Sequence, residues 1–139
     1  MHDESTTLAD QLHTLLVDEG YGKVRFDDDG DVVFKCEGLT YLALFDERDP
    51  RYVRLVLPGF WSIDDEEERE RAIEVCNHVH GTCKCAYVRV GDDAASAAVE
   101  VLMPPGAAFD GPYVRRLISM IVTAVDTFRE KMLGKTLES

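Results

Sequence analysis

The chain has 139 residues, with 15 Lys and Arg against 27 Asp and Glu, which gives a formal net charge of −12. Its 45% apolar and 30% charged residues are ordinary for a globular protein. The negative charge disfavours nucleic acid and anionic membrane surfaces as partners, because their phosphates would be repelled. No stretch reaches the roughly 18 consecutive apolar residues that a membrane-spanning helix needs. We therefore expect one cytoplasmic domain over residues 1–139, with flexible ends at 1–5 and 135–139.

The first half of the chain predicts one helix followed by four strands. Leucines at helical spacing define the helix, and Asp29-Gly30 and Glu37-Gly38 predict tight hairpin turns between the strands. The polar loop DERDPR precedes the fourth strand, which we expect to end at Pro58-Gly59. The five elements are predicted at residues 6–19, 23–26, 32–37, 41–45 and 52–58.

The second half predicts a helix, a hairpin and a long final helix. Asp64 and Glu67 have the spacing of a capping box, and Gly81 is the expected stop of the middle helix. These elements are predicted at residues 62–81, 83–90, 97–103 and 112–133. The predicted buried stripe of the middle helix is Ala72, Ile73, Cys76 and Val79. The predicted apolar face of the final helix is Val114, Leu117, Ile118, Ile121, Val122, Val125, Phe128 and Met132.

Together these elements predict an α+β fold. The order is α-β-β-β-β-α-β-β-α, with an antiparallel sheet and three helices.

Catalytic motifs are absent from the sequence. It has no GxSxG, no Walker-type glycine loop and no HExxH. The acidic run DDDGD lacks the ligand spacing of a calcium loop, since Gly30 falls at its fourth position, and is interpreted as a hairpin tip. We expect no enzymatic activity and no cofactor.

The segment CNHVHGTCKC, residues 76–85, allows two interpretations. Cys76 and His80 share a helix face, and Cys83 and Cys85 would share a strand face, so the four could form a zinc or redox site. The alternative places Cys76 in the core, His78 in solvent, His80 at the negative end of the helix dipole, and both later cysteines along a strand. Metal binding is the secondary hypothesis.

Two apolar features are candidate partner contacts. Phe60 and Trp61 lie at the expected junction between the fourth strand and the middle helix, where aromatic side chains often anchor interfaces. The final helix has an apolar face wide enough to cover a sheet and leave a rim for a second subunit. The predicted dimer or ligand contacts are Phe60, Trp61, Ile118, Ile121 and Val125.

The sequence resembles the YbjN-like proteins, which share a fold with type III secretion chaperones of the Tir-chaperone kind. The resemblance is carried by LADQLHTLLVDEGY, DVVFKCEG, EEERERAIEVCNHVHG, KCAYVRV with VEVLMP, and the long final helix. It implies a small cytoplasmic homodimer that binds a segment of another protein, as a chaperone or as a regulator. It implies no enzymatic residues.

Overall fold

The structure, a computed structural model, describes residues 7–134. Its elements follow the predicted order, and the α+β prediction is confirmed. The three helices are α1 (Leu8–Asp18), α2 (Glu66–Thr82) and α3 (Gly111–Met132). The strands are β1 (Gly22–Phe26), β2 (Val32–Cys36), β3 (Leu39–Asp46), β4 (Asp49–Ser62), β5 (Ala86–Val90) and β6 (Ala94–Leu102).

The six strands form one antiparallel sheet in the order β1-β2-β3-β4-β6-β5. The edge strands are therefore β1 and β5. The pairing of β1 with β2 is irregular between Gly22 and Arg25, and Lys23 in this stretch has a φ of 48°. Such an irregularity twists an edge and makes it a poor template for a further strand.

The contacts within the chain define two compact units. The first consists of the chain up to Leu55 together with Glu100–Arg116, and the second of Val56–Val99 together with the chain from Leu117 onward. The single domain expected over residues 1–139 stays a prediction, and the termini expected to be flexible lie outside the described residues.

In the first unit, α1 begins with a capping box. The Thr7 hydroxyl accepts from the Asp10 N–H, and the Asp10 carboxylate accepts from the Thr7 N–H. Leu8, Leu12 and Leu16 are buried along one face of the helix. The helix predicted over residues 6–19 is confirmed for its described part, with ends one or two residues inside the prediction.

The predicted hairpin turns of the first unit are confirmed. Glu37 and Gly38 have φ values of 51° and 81°, and positive φ at both positions is what a type I′ hairpin turn requires. Cys36 and Leu39 pair directly across this turn. The Asp29-Gly30 turn joins β1 to β2, with the Gly30 N–H donating to the Asp27 carbonyl. The Glu37-Gly38 turn sets the register that keeps the buried residues of β2 and β3 on one face of the sheet.

Strand β4 corrects two predictions. The polar loop expected at residues 46–51 is only the turn Glu47-Arg48, because β3 runs to Asp46 and β4 starts at Asp49. The strand also continues through Pro58 and Gly59 to Ser62. Gly59 adopts a φ of 60° and donates its N–H to the Ser96 Oγ at 3.0 Å, so a local irregularity accommodates the proline within the strand. Phe60 and Trp61 therefore lie in a strand.

In the second unit, α2 differs from its predicted pattern at three points. It begins after Asp65, and it passes through Gly81 to Thr82. Its buried side chains are Ala72, Val75, Cys76 and Val79, whereas Ile73 is 43% exposed. The predicted stripe is therefore wrong at Ile73. Ile73 and Ala72 lie three and four residues before Cys76, so helical spacing allows either of them to share its face. Tertiary packing determines which of the two is buried.

The predicted face of α3 is confirmed at most positions. Val114, Leu117, Ile118, Ile121, Val125 and Phe128 are buried. Val122 is 36% exposed, and Met132 is half-buried. Among the described residues, no helix is long and apolar enough to cross a membrane.

Candidate functional site

One candidate site is a groove in the second unit beside α2. It has a volume of about 570 Å³. We call it the α2 groove, and its lining residues are Trp61, Asp65, Glu67, Glu68, Glu70, Arg71, Glu74 and Met132. It thus combines the single tryptophan of the sequence with five carboxylates, one guanidinium and one methionine.

The N-terminus of α2 forms one end of the groove. Asp65 has an extended backbone, and its carboxylate accepts from the Glu68 N–H at 2.7 Å, which makes it the N-cap. The Glu68 carboxylate in turn accepts from the Asp64 N–H at 3.0 Å. The capping pair predicted at Asp64 and Glu67 is therefore shifted by one residue. Three acidic residues in the first turn, beginning at Glu66, lie where the helix dipole stabilises negative charge.

Trp61 is held in place from two sides. Its indole N–H donates to the Glu68 Oε2 at 3.1 Å. Its ring packs edge-on against Phe128 of α3, with the ring centroids 5.8 Å apart. Phe128 is fully buried, so the indole rests on the core of the second unit. The orientation of Trp61 is therefore fixed without any ligand.

Arg71 joins α2 to the C-terminal end of α3. Its Nη2 donates to the carbonyl oxygens of Lys131 and Met132, at 2.9 and 3.2 Å. A guanidinium at this position is favourable, because the last carbonyls of a helix have no partner within the helix and form its negative end. These bonds hold the backbone of Met132 beside the groove.

The electrostatics of the α2 groove are strongly asymmetric. Within residues 7–134, no cationic side chain lies within ion-pair distance of Glu67, Glu70 or Glu74. All three are exposed. Arg71 also lines the groove, but its Nη2 donates to the carbonyl oxygens at the end of α3. The groove therefore carries a concentrated negative charge.

The other predicted contact residues lie apart from the groove lining. Phe60 packs edge-on against Phe128 at 5.3 Å, and the guanidinium of Arg129 lies 5.8 Å from the centre of its ring. Ile118, Ile121 and Val125 are each at most 7% exposed. These three side chains belong to the core of a single chain, so a partner could touch them only after α3 had moved.

The histidine and cysteines of residues 76–85 have separate roles. Cys76 is buried, and this burial raises the pKa of its thiol to about 11, which makes it a poor source of thiolate. The His80 Nε2 lies 3.1 Å from the Val88 N and 3.2 Å from the Val88 carbonyl oxygen. His80 therefore covers the edge strand β5 near its centre, and does not cap the end of α2.

Cys83 and Cys85 correct the prediction of a shared strand face, because β5 begins only at Ala86. Cys83 is the C-cap of α2, and its thiol lies 3.5 Å from the Thr127 Oγ1. Cys85 is exposed, has a φ of 64°, and lies between the Lys84 carbonyl and the Ala86 N–H, which bond at 2.6 Å in a γ-turn. The helix and the turn thus place the two thiols in different local settings.

The four proposed metal ligands do not converge. The part of the chain that the structure describes contains one group of at least three His, Cys, Asp or Glu residues whose ligand atoms all lie within 4.8 Å of one another. This group is Asp27, Asp29 and Asp31, and it includes none of the four proposed ligands. The Asp27 carboxylate accepts from the N–H groups of Asp29 and Asp31, both at 2.9 Å. Asp31 accepts from the Phe45 N–H. These bonds stabilise the hairpin turn, in agreement with its interpretation as a hairpin tip.

A smaller cavity of about 390 Å³ lies in the first unit, at the β3–β4 turn. Tyr52 and Arg54 line it, and both interact with Glu100 of β6: the Tyr52 hydroxyl donates to its carboxylate, and the Arg54 guanidinium lies 3.6 Å away. Burial, followed by the bond to Glu100, raises the pKa of Tyr52. This network links neighbouring strands across the sheet.

The sequence identified only part of the α2 groove. Trp61 is a predicted contact, but the acidic residues of α2 enter the sequence analysis only through the net charge and helix capping, and Arg71 does not enter it. The spacing of Asp65 and Glu68 was the available signal for the groove end, since an N-cap aspartate followed three residues later by glutamate indicates a helix start.

Comparisons with known proteins do not extend this description. No protein-family model matches the sequence, and a search of curated proteins finds no significant match.

Proposed function

We propose that this chain is a non-enzymatic protein-binding domain that holds a segment of another protein in the α2 groove. The observation that carries the proposal is the groove of about 570 Å³, in which a fixed indole and a methionine lie beside three glutamates that have no cationic partner among residues 7–134. Tryptophan is a frequent anchor of protein interfaces, and methionine adapts to varied partner surfaces.

The composition of the lining favours a polypeptide over a small molecule. Sites for small molecules are mostly apolar and enclose most of the ligand. In the α2 groove only Trp61 and Met132 are apolar, and most of the acidic side chains are exposed. A polypeptide segment suits this lining, because it can place one apolar side chain beside Trp61 while its polar groups remain hydrated.

The edges of the sheet are less suitable for the same partner. A further strand would need regular free N–H and carbonyl groups along an edge. The β1 edge is irregular between Gly22 and Arg25, and His80 occupies the Val88 position of the β5 edge. Of the two modes that an antiparallel sheet with helices offers, edge addition and groove binding, these features favour the groove.

The proposal includes a homodimer in the cytoplasm, acting as a chaperone or a regulator. Its support is the resemblance to YbjN-like proteins, together with two apolar side chains, Ile73 of α2 and Val122 of α3, that are 43% and 36% exposed in a single chain. The free thiols of all four cysteines agree with a reducing compartment. The net charge of −12 supports a protein partner over nucleic acid or a membrane surface.

Selection of displayed random peptides against the wild-type protein tests the groove. Labelled copies of the selected peptides are then titrated by fluorescence anisotropy into wild type, into Trp61→Ala, and into Leu102→Ser. Leu102 is 71% exposed in the first unit, so its replacement is the matched loss of an exposed apolar side chain. We expect Trp61→Ala to weaken binding at least tenfold, as loss of an interface anchor does. Equal affinities for all three proteins would overturn the groove as the binding site.

The homodimer has its own test. The intact mass of the purified protein under native conditions should correspond to two chains. A single-chain mass at micromolar concentration would remove the homodimer from the proposal and leave the α2 groove as a site on a monomer.

A further inference from the structure

The charge and spacing of the α2 groove identify the kind of segment that it fits. We infer that the bound segment is a helix that presents Lys or Arg residues at successive turns along one face. This inference rests on the proposed function, because it names the partner of the same groove.

The spacing of the glutamates along α2 matches that of side chains on one face of a partner helix. Glu67, Glu70 and Glu74 are spaced by three and four residues, so they lie along one face of α2 beside the groove. At about 1.5 Å per residue they are separated by about 4.5 and 6 Å along the helix axis. Cations at matching positions of a partner helix repeat at the same intervals. Alternate residues of an extended strand are about 6.6 Å apart and fall out of register with the glutamates.

The negative charge of these glutamates complements a cationic partner. No cation of the described chain pairs with the three glutamates, whereas the neighbouring Glu66 lies 4.0 Å from Arg69. Glu70 and Glu74 are four residues apart, a spacing at which like charges destabilise a helix. A cationic partner removes this repulsion. The helix dipole accounts for Glu67, which lies in the first turn of α2, but not for Glu70 or Glu74, which lie beyond that turn.

The indole of Trp61 lines the groove together with the three glutamates. Trp61 is the one aromatic residue in the groove lining, and its N–H is already bonded to Glu68. Its ring is thus fixed before a partner arrives, and tryptophan is the aromatic side chain that interacts best with a guanidinium or ammonium group. The aliphatic stem of an Arg or Lys can also pack on the indole while its charge reaches a carboxylate.

The test uses synthetic helical peptides of about 16 residues, a length at which an alanine-rich helix forms in water. One peptide carries Arg at positions spaced by three and four residues. A second has the same composition with the Arg residues distributed around the helix, and a third replaces each Arg by Glu. Because Trp61 is the only tryptophan of the protein, its emission reports occupation of the groove directly.

We expect the first peptide to shift Trp61 emission and to bind at least fivefold more tightly than the second, while the third does not bind. Its affinity should fall with added salt, because exposed charge pairs are screened. For Glu70→Gln/Glu74→Gln we expect about tenfold weaker binding, because two exposed ion pairs with the peptide are lost. We also expect a higher urea denaturation midpoint, because the repulsion between Glu70 and Glu74 is removed. The control Glu47→Gln/Asp49→Asn changes the net charge equally in the first unit and should bind as wild type does.

Three outcomes separate this inference from the proposed function. Equal binding of the first two peptides, or unchanged binding to Glu70→Gln/Glu74→Gln, overturns the cationic helix. If display-selected segments without cations shift Trp61 emission and the Arg peptide does not, this inference fails and the proposed function stands. If no selected segment affects Trp61, both fail.

Discussion

Ile121→Ala is the sharpest test of how α3 is placed. Ile121 is 0% exposed within a single chain, whereas its neighbour Val122 is 36% exposed. The substitution removes three carbon atoms at about 0.8 kcal/mol each, or about 2.4 kcal/mol. The residual cavity adds to this cost, and the better helix propensity of alanine offsets a few tenths of a kcal/mol. We expect a loss of about 3 kcal/mol in the free energy of unfolding, from a total of roughly 5–15 kcal/mol.

The assay is urea denaturation followed by far-UV circular dichroism at two protein concentrations tenfold apart. The matched control, Val122→Ala, should change the free energy of unfolding by no more than about 0.5 kcal/mol. A loss below about 1 kcal/mol for Ile121→Ala would refute the burial of this side chain. A loss that appears only at the lower protein concentration would assign Ile121 to a subunit interface instead of the core of one chain.

Three further predictions concern the segment from α2 to β5. Because the pKa of Cys76 is raised, its thiol contributes stability that is complete below pH 9 and is lost as the pH rises through about 11. Cys76→Ala should therefore flatten the pH dependence of the guanidinium denaturation midpoint over this range. Parallel curves for the two proteins would contradict the burial of Cys76. His80→Ala should speed hydrogen exchange at the Val88 amide several-fold by removing its partner, and unchanged exchange would contradict the contact. Adding zinc or a chelator should change the melting temperature by no more than about 1 °C, because Cys83 and Cys85 do not converge with the other proposed ligands. Stabilisation by stoichiometric zinc would restore the metal hypothesis.

The order of the elements was predictable because local signals agree with the fold. The leucines of α1 and the apolar residues of α3 recur at helical spacing, and each stripe is buried. Gly30 and Gly38 mark the two hairpin turns, since each adopts a positive φ. Such signals act over a few residues, so a single sequence is enough to detect them.

The errors arose where a distant contact overrides a local rule. Pro58 and Gly59 normally end a strand, but here the Gly59 N–H has a partner in Ser96, far away in the chain. Ile73 is the more apolar choice for a helix stripe, but the packing of α2 buries Val75 instead. The sequence alone contains neither contact, so the propensity of the individual residue misleads.

The candidate site was only partly predictable for the same reason. Trp61 attracts notice as the only tryptophan of the sequence, but its role depends on Phe128 of α3. Arg71 becomes a groove residue only because α3 ends beside it. Glutamates on a helix indicate a solvated face until a neighbouring element is known to form the other wall. Conversely, the clustering of Cys76 and Cys85 in sequence suggested a shared site that the helix and the γ-turn do not form.

The most direct test of the central claim is hydrogen–deuterium exchange of the protein with and without a display-selected segment. The account predicts slower exchange in the first half of α2, around Glu70, and at the end of β4 around Trp61, with no change at the β1 edge. Protection confined to β1 or β5 would contradict it, because the partner would then add to the sheet and leave the α2 groove empty.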